Sequence, residues 1–298
     1  MTQPSIAIKD FTVAPPRITS WQRFRRAFFS RWIVIIGLVI LLVMMFTAIF
    51  APWLAPYDPY KQDLSSPLLQ PCKAHLLGTD GLGRDTLSRV IYGSRTALLI
   101  GFAVTGVAVI VGMVLGLCAG YFGGVVSMFI MRFIDALMSI PMILLALVIA
   151  SVLGGGLKNV IIALSIGTIC PYTRIMNGLV LSIKQNDYIL AERAMGASDS
   201  RTMFSHILPN AFQPIIVMIT MQLGFLILAE AGLSFLGIGI EPPFAAWGSM
   251  VNDGYQYLMT NPALSFAPGI CIMLVVFAFN MVGDGLRDAL DPRLRGMF

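Results

Sequence analysis

The side chains that could do chemistry in this 298-residue chain are few, and most gather in one polar island, Asn186 to Asn210, between two long apolar segments. Outside it stand Glu230 in an otherwise apolar run, the amide of Asn177, and a charged cluster of Asp284, Arg287 and Asp288. No HExxH, no serine–lysine pair and no paired aspartates occur within the apolar runs, so no catalytic residue is expected. No G-x-x-x-x-G-K-[ST] phosphate loop occurs either, which leaves the chain without a nucleotide-hydrolysing centre of its own. Cys72, Cys118, Cys170 and Cys271 form no CxxC pair, and His75 and His206 lie in different loops. A metal site is therefore not expected, and the cysteines read as small core residues.

Within the island the spacing predicts two short helices. Asn186 or Asp187 can cap the first, whose apolar side would carry Ile189, Leu190, Ala194 and Met195. Gly196 supplies a residue able to take positive φ and close it. Ser198 offers the second cap, followed by Met203, Phe204, Ile207 and Leu208 on one side. Leu208-Pro209 would then end that helix, since proline lacks the donor that continues it.

The elements that hold this knuckle are membrane spans. The chain is 57% hydrophobic and 12% charged, where soluble domains carry about a quarter charged residues. Its apolar runs are long enough to cross a bilayer, which takes roughly 20 residues each. The expected fold is an all-α polytopic membrane protein of six transmembrane helices. An amphipathic helix precedes them, with Trp21, Phe24 and Phe28 on one face and Arg23, Arg25 and Arg26 elsewhere. A plain positive-inside flank reads the same residues equally well.

The spans are expected near 33–54, 95–120, 125–153 with a kink at Pro141, 159–183 broken near Pro171, 213–240 and 263–283. Residues 1–31 form the inner leader, 32–94 the first span with a long outer loop, 95–288 the core with the loop 184–212 on the inner side, and 289–298 a charged tail. Gly112, Gly116 and Gly120 make a small-residue stripe for close helix packing. Arg132 and Asp135 are spaced to pair on one face. Glu230 is either functional or a helix–helix hydrogen bond, because an ionisable group at that depth is costly. With the amino terminus inside, 14 of the 20 Lys and Arg fall inside and six outside, so both termini are expected in the cytoplasm. The net charge of +5 then reflects topology, and no nucleic-acid partner is implied.

The knuckle also resembles a known element. Ala191, Glu192, Gly196, Ala197 and Leu208-Pro209 resemble the EAA loop of ABC-importer permeases, with Ser198 inside it. Aligned on Gly196, the motif's usual glutamate position holds Leu190, and the carboxylate stands at Glu192. HLLGTDGLGRDTLSRVIYGSRTAL, AEAGLSFLGIGIEPPFAAWGSM and FNMVGDGLRDALDPRL resemble the second, shorter permease of dipeptide, oligopeptide and nickel importers. That resemblance implies a type I ABC-importer permease in a bacterial inner membrane. It implies a heterodimer with a sister permease, two ABC ATPase subunits that dock on the loop and bind ATP and Mg, and an external solute-binding protein. The chain itself would need no cofactor. Di- or oligopeptides are the first solute expected, with nickel, glutathione or another small solute as alternatives. Glu230 and Asn177 are candidates for the pathway or its gate; Asn177 stands where the family often has a second arginine after Arg174. An ion-coupled carrier is the reading from another class, and it would need intramembrane carboxylates and repeated halves.

Overall fold

A computed structural model describes residues 19–290. The stretch before Thr19 and most of the tail expected at 289–298 lie outside the described residues. Helices dominate: α1 Ser20–Phe29, α2 Trp32–Ile49, the short α3 Ala51–Leu54, and α4 Thr86–Phe122. Then come α5 Gly124–Met138, α6 Met142–Leu153, α7 Leu157–Ile183, α8 Asp187–Ala194 and the single turn α9 Asp199–Arg201. A π-helical segment, Thr202–Ile207, leads into α10 Leu208–Phe235, followed by α11 Trp247–Tyr255 and α12 Ala263–Leu290. Five helical stretches are long and apolar enough to cross a membrane, and α5 with α6 makes a sixth that is bent by 88°. The bend falls at Ser139–Pro141, where Pro141 precedes the first residue of α6 and disfavours helix in the residue before it.

Two proline expectations are corrected. α7 runs unbroken through Pro171. The ring crowds the carbonyl four residues back, and that residue is Gly167, which Met142 of α6 covers closely; packing on both sides holds the helix through the lost bond. Nor does Pro209 end a helix. It follows directly on the π turn Thr202–Ile207 at the start of α10, and the helical path is continuous over Asp199–Phe235.

The glycine stripe finds its neighbour within the chain. A Cβ on Gly112 would meet the Tyr172 Cβ at 2.6 Å, on Gly116 the Thr173 carbonyl at 2.5 Å, and on Gly120 the Val180 Cβ at 2.7 Å. Only hydrogen fits, so α4 and α7 pack backbone to backbone, and the stripe asks for no second subunit. Tyr172, Met176 and Val180 fill the core beside it.

α4 begins nine residues before the expected Arg95. Asp85 is its cap: its Oδ2 accepts from the Ser88 N–H at 2.8 Å and the Ser88 hydroxyl at 2.7 Å. The long loop before α4 is held on this end by Arg84 and Arg89, both buried, whose Nε atoms lie 2.7 and 3.5 Å from Asp80 Oδ2. Trp247 locks α11 onto the same end. Its indole N–H donates to the Val90 carbonyl at 2.9 Å, and the ring lies where a Gly93 Cβ would be.

At the opposite end α1 is closed by a capping box, with Thr19 and Gln22 exchanging hydrogen bonds of 3.2 and 3.4 Å. Trp21, Phe24 and Phe28 stack along it at 5.7 Å spacing. Trp21 is exposed and Phe28 buried, as suits a helix lying at an interface. Of the expected Asp284–Arg287–Asp288 network, Asp288 pairs instead with Arg31 at 2.8 Å, tying the last helix to the first.

Candidate functional site

The knuckle forms as two helical pieces about Gly196. Asn186 occupies the cap position of α8 without a side-chain bond. The helix ends in a Schellman motif: the Gly196 N–H donates to the Arg193 carbonyl at 3.0 Å and the Ala197 N–H to the Glu192 carbonyl at 3.2 Å. Gly196 has φ +85°, the left-handed region that a Cβ disfavours. Ser198 then caps the next turn, its hydroxyl oxygen accepting from the Arg201 N–H at 3.4 Å. The Leu208 N–H reaches back to Met203, the five-residue spacing of a π turn, before Leu208 and Pro209 open α10.

The faces of α8 differ from the expectation. Ile189 is fully buried, yet Leu190, Ala194 and Met195 are exposed, Met195 at 82%. Their place against the bundle goes to Glu192, which is buried. Its Oε1 lies 2.8 Å from His206 Nε2 and 3.8 Å from Arg201 Nε. The His206 approach is a close electrostatic contact rather than an aligned hydrogen bond. The carboxylate thus turns back on the π segment, while Leu190, Met195 and Phe204 are each exposed. Tyr121 at the C-terminal end of α4 anchors the other side. Its hydroxyl donates to Asp199 Oδ1 at 2.5 Å, its carbonyl accepts from Lys184 Nζ at 2.5 Å, and Arg193 lies over its ring at 5.7 Å.

Ala191 and Ala197 carry no polar group and sit on either side of the turn. Sequence reasoning missed Tyr121 and His206. No local pattern marks either, because each acts across a distance in sequence: 78 residues for Tyr121 and Asp199.

The two remaining candidates lie away from the knuckle. Glu230 is shut inside the chain at 2% exposure. It accepts from the Ser234 hydroxyl at 2.6 Å, and Ser234 Oγ accepts from the Ile240 N–H at 3.2 Å. It therefore braces the turn after α10 within its own helix rather than bridging to another. Asn177 lies at the α4–α7 seam beside Gly116 and Gly120, its Oδ1 buried without a hydrogen bond. One pairing expectation fails: Asp135 pairs not with Arg132 but with Arg174 of α7. On α5 the three-residue step leaves Arg132 exposed, while Arg174 approaches Asp135 from the neighbouring helix.

Comparison with known proteins accounts for this arrangement. Residues 108–296 match the family described as binding-protein-dependent transport system inner membrane component. Residues 19–71 match the N-terminal transmembrane domain of oligopeptide transport permease C. A dipeptide transport system permease protein of Alkalihalophilus pseudofirmus is 41% identical, over 93% of this chain and 91% of that one. A glutathione transport system permease protein of Pectobacterium atrosepticum is 39% identical, over 97% and 95%. A nickel transport system permease protein of Escherichia coli is 41% identical, over 89% and 96%. Among solved structures, an inward-facing MetNI methionine ABC transporter is similar in fold, with a TM-score of 0.56 at 20% identity, covering 69% of this chain and 97% of that one. With five apolar spans and a bent sixth, the knuckle and these matches in hand, the chain belongs to the family of binding-protein-dependent transport system inner membrane components, as a multi-pass permease.

Proposed function

We propose that this chain is one of two related permeases of an ATP-driven importer, with the knuckle as the docking point for its ATPase and small peptides as its solute. The observation that carries the coupling role is the shape of the knuckle. Buried Glu192 and Ile189 and the Tyr121 anchor fix it to the bundle, so the exposed Leu190, Met195 and Phe204 are presented on a firm base. Exposed apolar side chains on a braced support fit a protein partner. The chain has no phosphate loop, so hydrolysis and the binding of ATP and Mg fall to separate subunits. The peptide solute follows from the dipeptide permease relatives, while the glutathione and nickel relatives mark the breadth of the family.

The proposed orientation has both termini and the knuckle in the cytoplasm. The first outer loop region holds five of the six outer cations, which weakens a simple count. Two of them, Arg84 and Arg89, are buried and paired with Asp80.

The test is to express the chain with and without a sister permease and two ATPase subunits. Co-purification of all four, with ATPase activity that rises on adding an external binding protein, is the expected result. Labelling of intact cells should reach Lys61→Cys and miss Ser200→Cys. ATP hydrolysis by the purified chain alone, or the reverse labelling pattern, overturns the reading.

A further inference from the structure

Asp135 and Arg174 are left over from everything described so far. They form an ion pair between α5 and α7, with side chains 46% and 49% exposed. Depth makes this unusual. α7 has 27 residues, about 40 Å of helix, against a hydrocarbon thickness of about 30 Å. Arg174 precedes Ile183 by nine residues, about 14 Å. Even if all the excess length of α7, about 10 Å, overhung the inner surface, Arg174 would still lie within the hydrocarbon layer. Gly112 and Gly116 of α4 pack beside Thr173, which places the pair at the middle of the inner half of the bundle.

Charged groups at that depth face a protein interior or a water-filled cavity, because lipid solvates neither partner. Among the described residues no other helix covers this pair, which stays half-exposed. The buried side of α7 is Tyr172, Thr173, Met176 and Val180, turned to α4; the open side is Arg174, Ile175, Gly178 and Leu181. On α5 only Ile134 is buried. Water or a second subunit must therefore meet the open side.

We propose that Asp135 and Arg174 line the water-filled solute path as a charged constriction in its inner half. The inference rests on the permease reading above. A cation and an anion held side by side neutralise each other when the path is empty. Either can exchange its partner for an oppositely charged end of a passing solute, which suits solutes carrying both an ammonium and a carboxylate. Arg174 offers a bidentate donor pair for the carboxylate.

Gly178 gives the probe site. It lies one turn from Arg174 on the same open side, and a Cβ there meets nothing within 4 Å, so Gly178→Cys disturbs no packing. The experiment uses the assembled transporter, with Cys72, Cys118, Cys170 and Cys271 replaced by alanine. It compares a cationic and an anionic membrane-impermeant methanethiosulfonate reagent added from the cytoplasmic side. Gly178→Cys should react with both, while Leu42→Cys on the exposed apolar side of α2 should react with neither. Adding Asp135→Asn should raise the anionic-to-cationic rate ratio about tenfold, and Arg174→Gln should lower it about tenfold, as one unit charge roughly 6 Å away does in a partly solvated site. An unreactive Gly178→Cys overturns the aqueous placement, and a ratio indifferent to both substitutions overturns the charged constriction. Binding-protein-stimulated ATPase activity of the same preparations reports assembly separately, so loss of the permease reading itself would show there and not in the ratio.

Discussion

Gly196 is where the knuckle's geometry can be perturbed with least collateral damage. At φ +85° a residue with a Cβ costs about 1–2 kcal/mol, and a β-branched one sits at the upper end. No steric penalty adds to this, because a Cβ on Gly196 would meet no atom within 4 Å. The cost therefore falls on the conformation of the turn and not on the bundle. One to two kcal/mol reduces the population of the correctly bent knuckle about 5–30-fold. Gly196→Val should leave the thermal midpoint of the membrane-inserted chain unchanged and weaken ATPase capture by that factor, with uptake falling at least as far. Gly196→Asn, which tolerates the left-handed region, should lie between parent and Val. The assay titrates purified ATPase subunits against detergent-solubilised permease and measures uptake in parallel. Equal capture by Gly196→Val and the parent would refute the claim that the turn's angle matters for docking. A collapsed thermal midpoint would refute the claim that the turn is independent of the core.

Three further outcomes follow from the structure. Gly116→Leu should lower the thermal midpoint sharply, since overpacking costs about 1–3 kcal/mol or more and the Cβ position already lies 2.5 Å from the Thr173 carbonyl; Gly106→Ala, with nothing within 4 Å, should not. Glu192→Ala and His206→Ala should be non-additive by about 0.5–3 kcal/mol in a cycle on ATPase capture, because each removes the same contact; additive losses would mean that Glu192 meets the ATPase directly. At the end of the bundle that carries Arg84 and Arg89, partial desolvation raises the Asp253 carboxyl above its ordinary 3.8, Arg84 and Arg89 opposing the rise and Asp80 adding to it. A raised carboxyl favours the folded state while protonated, and that stability is lost as pH climbs through the raised value. Asp253→Asn should therefore raise the thermal midpoint at pH 7 and matter less near pH 4, whereas Asp80→Asn should lower it by freeing two buried guanidinium groups.

How much of this was legible in the sequence depends on the range of each interaction. Apolar run length is local, so the number of crossings and the bend at Pro141 could be read directly. Gly196 and Ser198 were legible for the same reason, since a left-handed turn and a cap are decided within four residues. Pro171 and Pro209 misled because helix breaking was judged from the proline alone. Pro171 is held in helix by the packing of α4 and α6 on either side of it, and Pro209 follows directly on the π turn at the start of α10. The apolar side of α8 was misassigned because periodicity shows which residues share a face but not what that face meets. Leu190 and Met195 could be core or docking surface, and only the tertiary structure shows them uncovered.

The same distinction bears on how motion at the knuckle would travel. From Asp199 to Phe235 the chain is one helical path of 37 residues, about 55 Å long, and the π segment at its inner end introduces no break. Its inner end is held to α4 by the Tyr121–Asp199 bond and to α8 by the Glu192 contacts. Its outer end is braced by Glu230 and Ser234 against the turn that leads to Ile240. Under the proposed docking role a push on α8 is delivered to this path, where the π segment and Pro214 supply points at which the helix can hinge. The bent α5–α6 pair, joined to α7 through Asp135 and Arg174, has such a hinge at Ser139–Pro141.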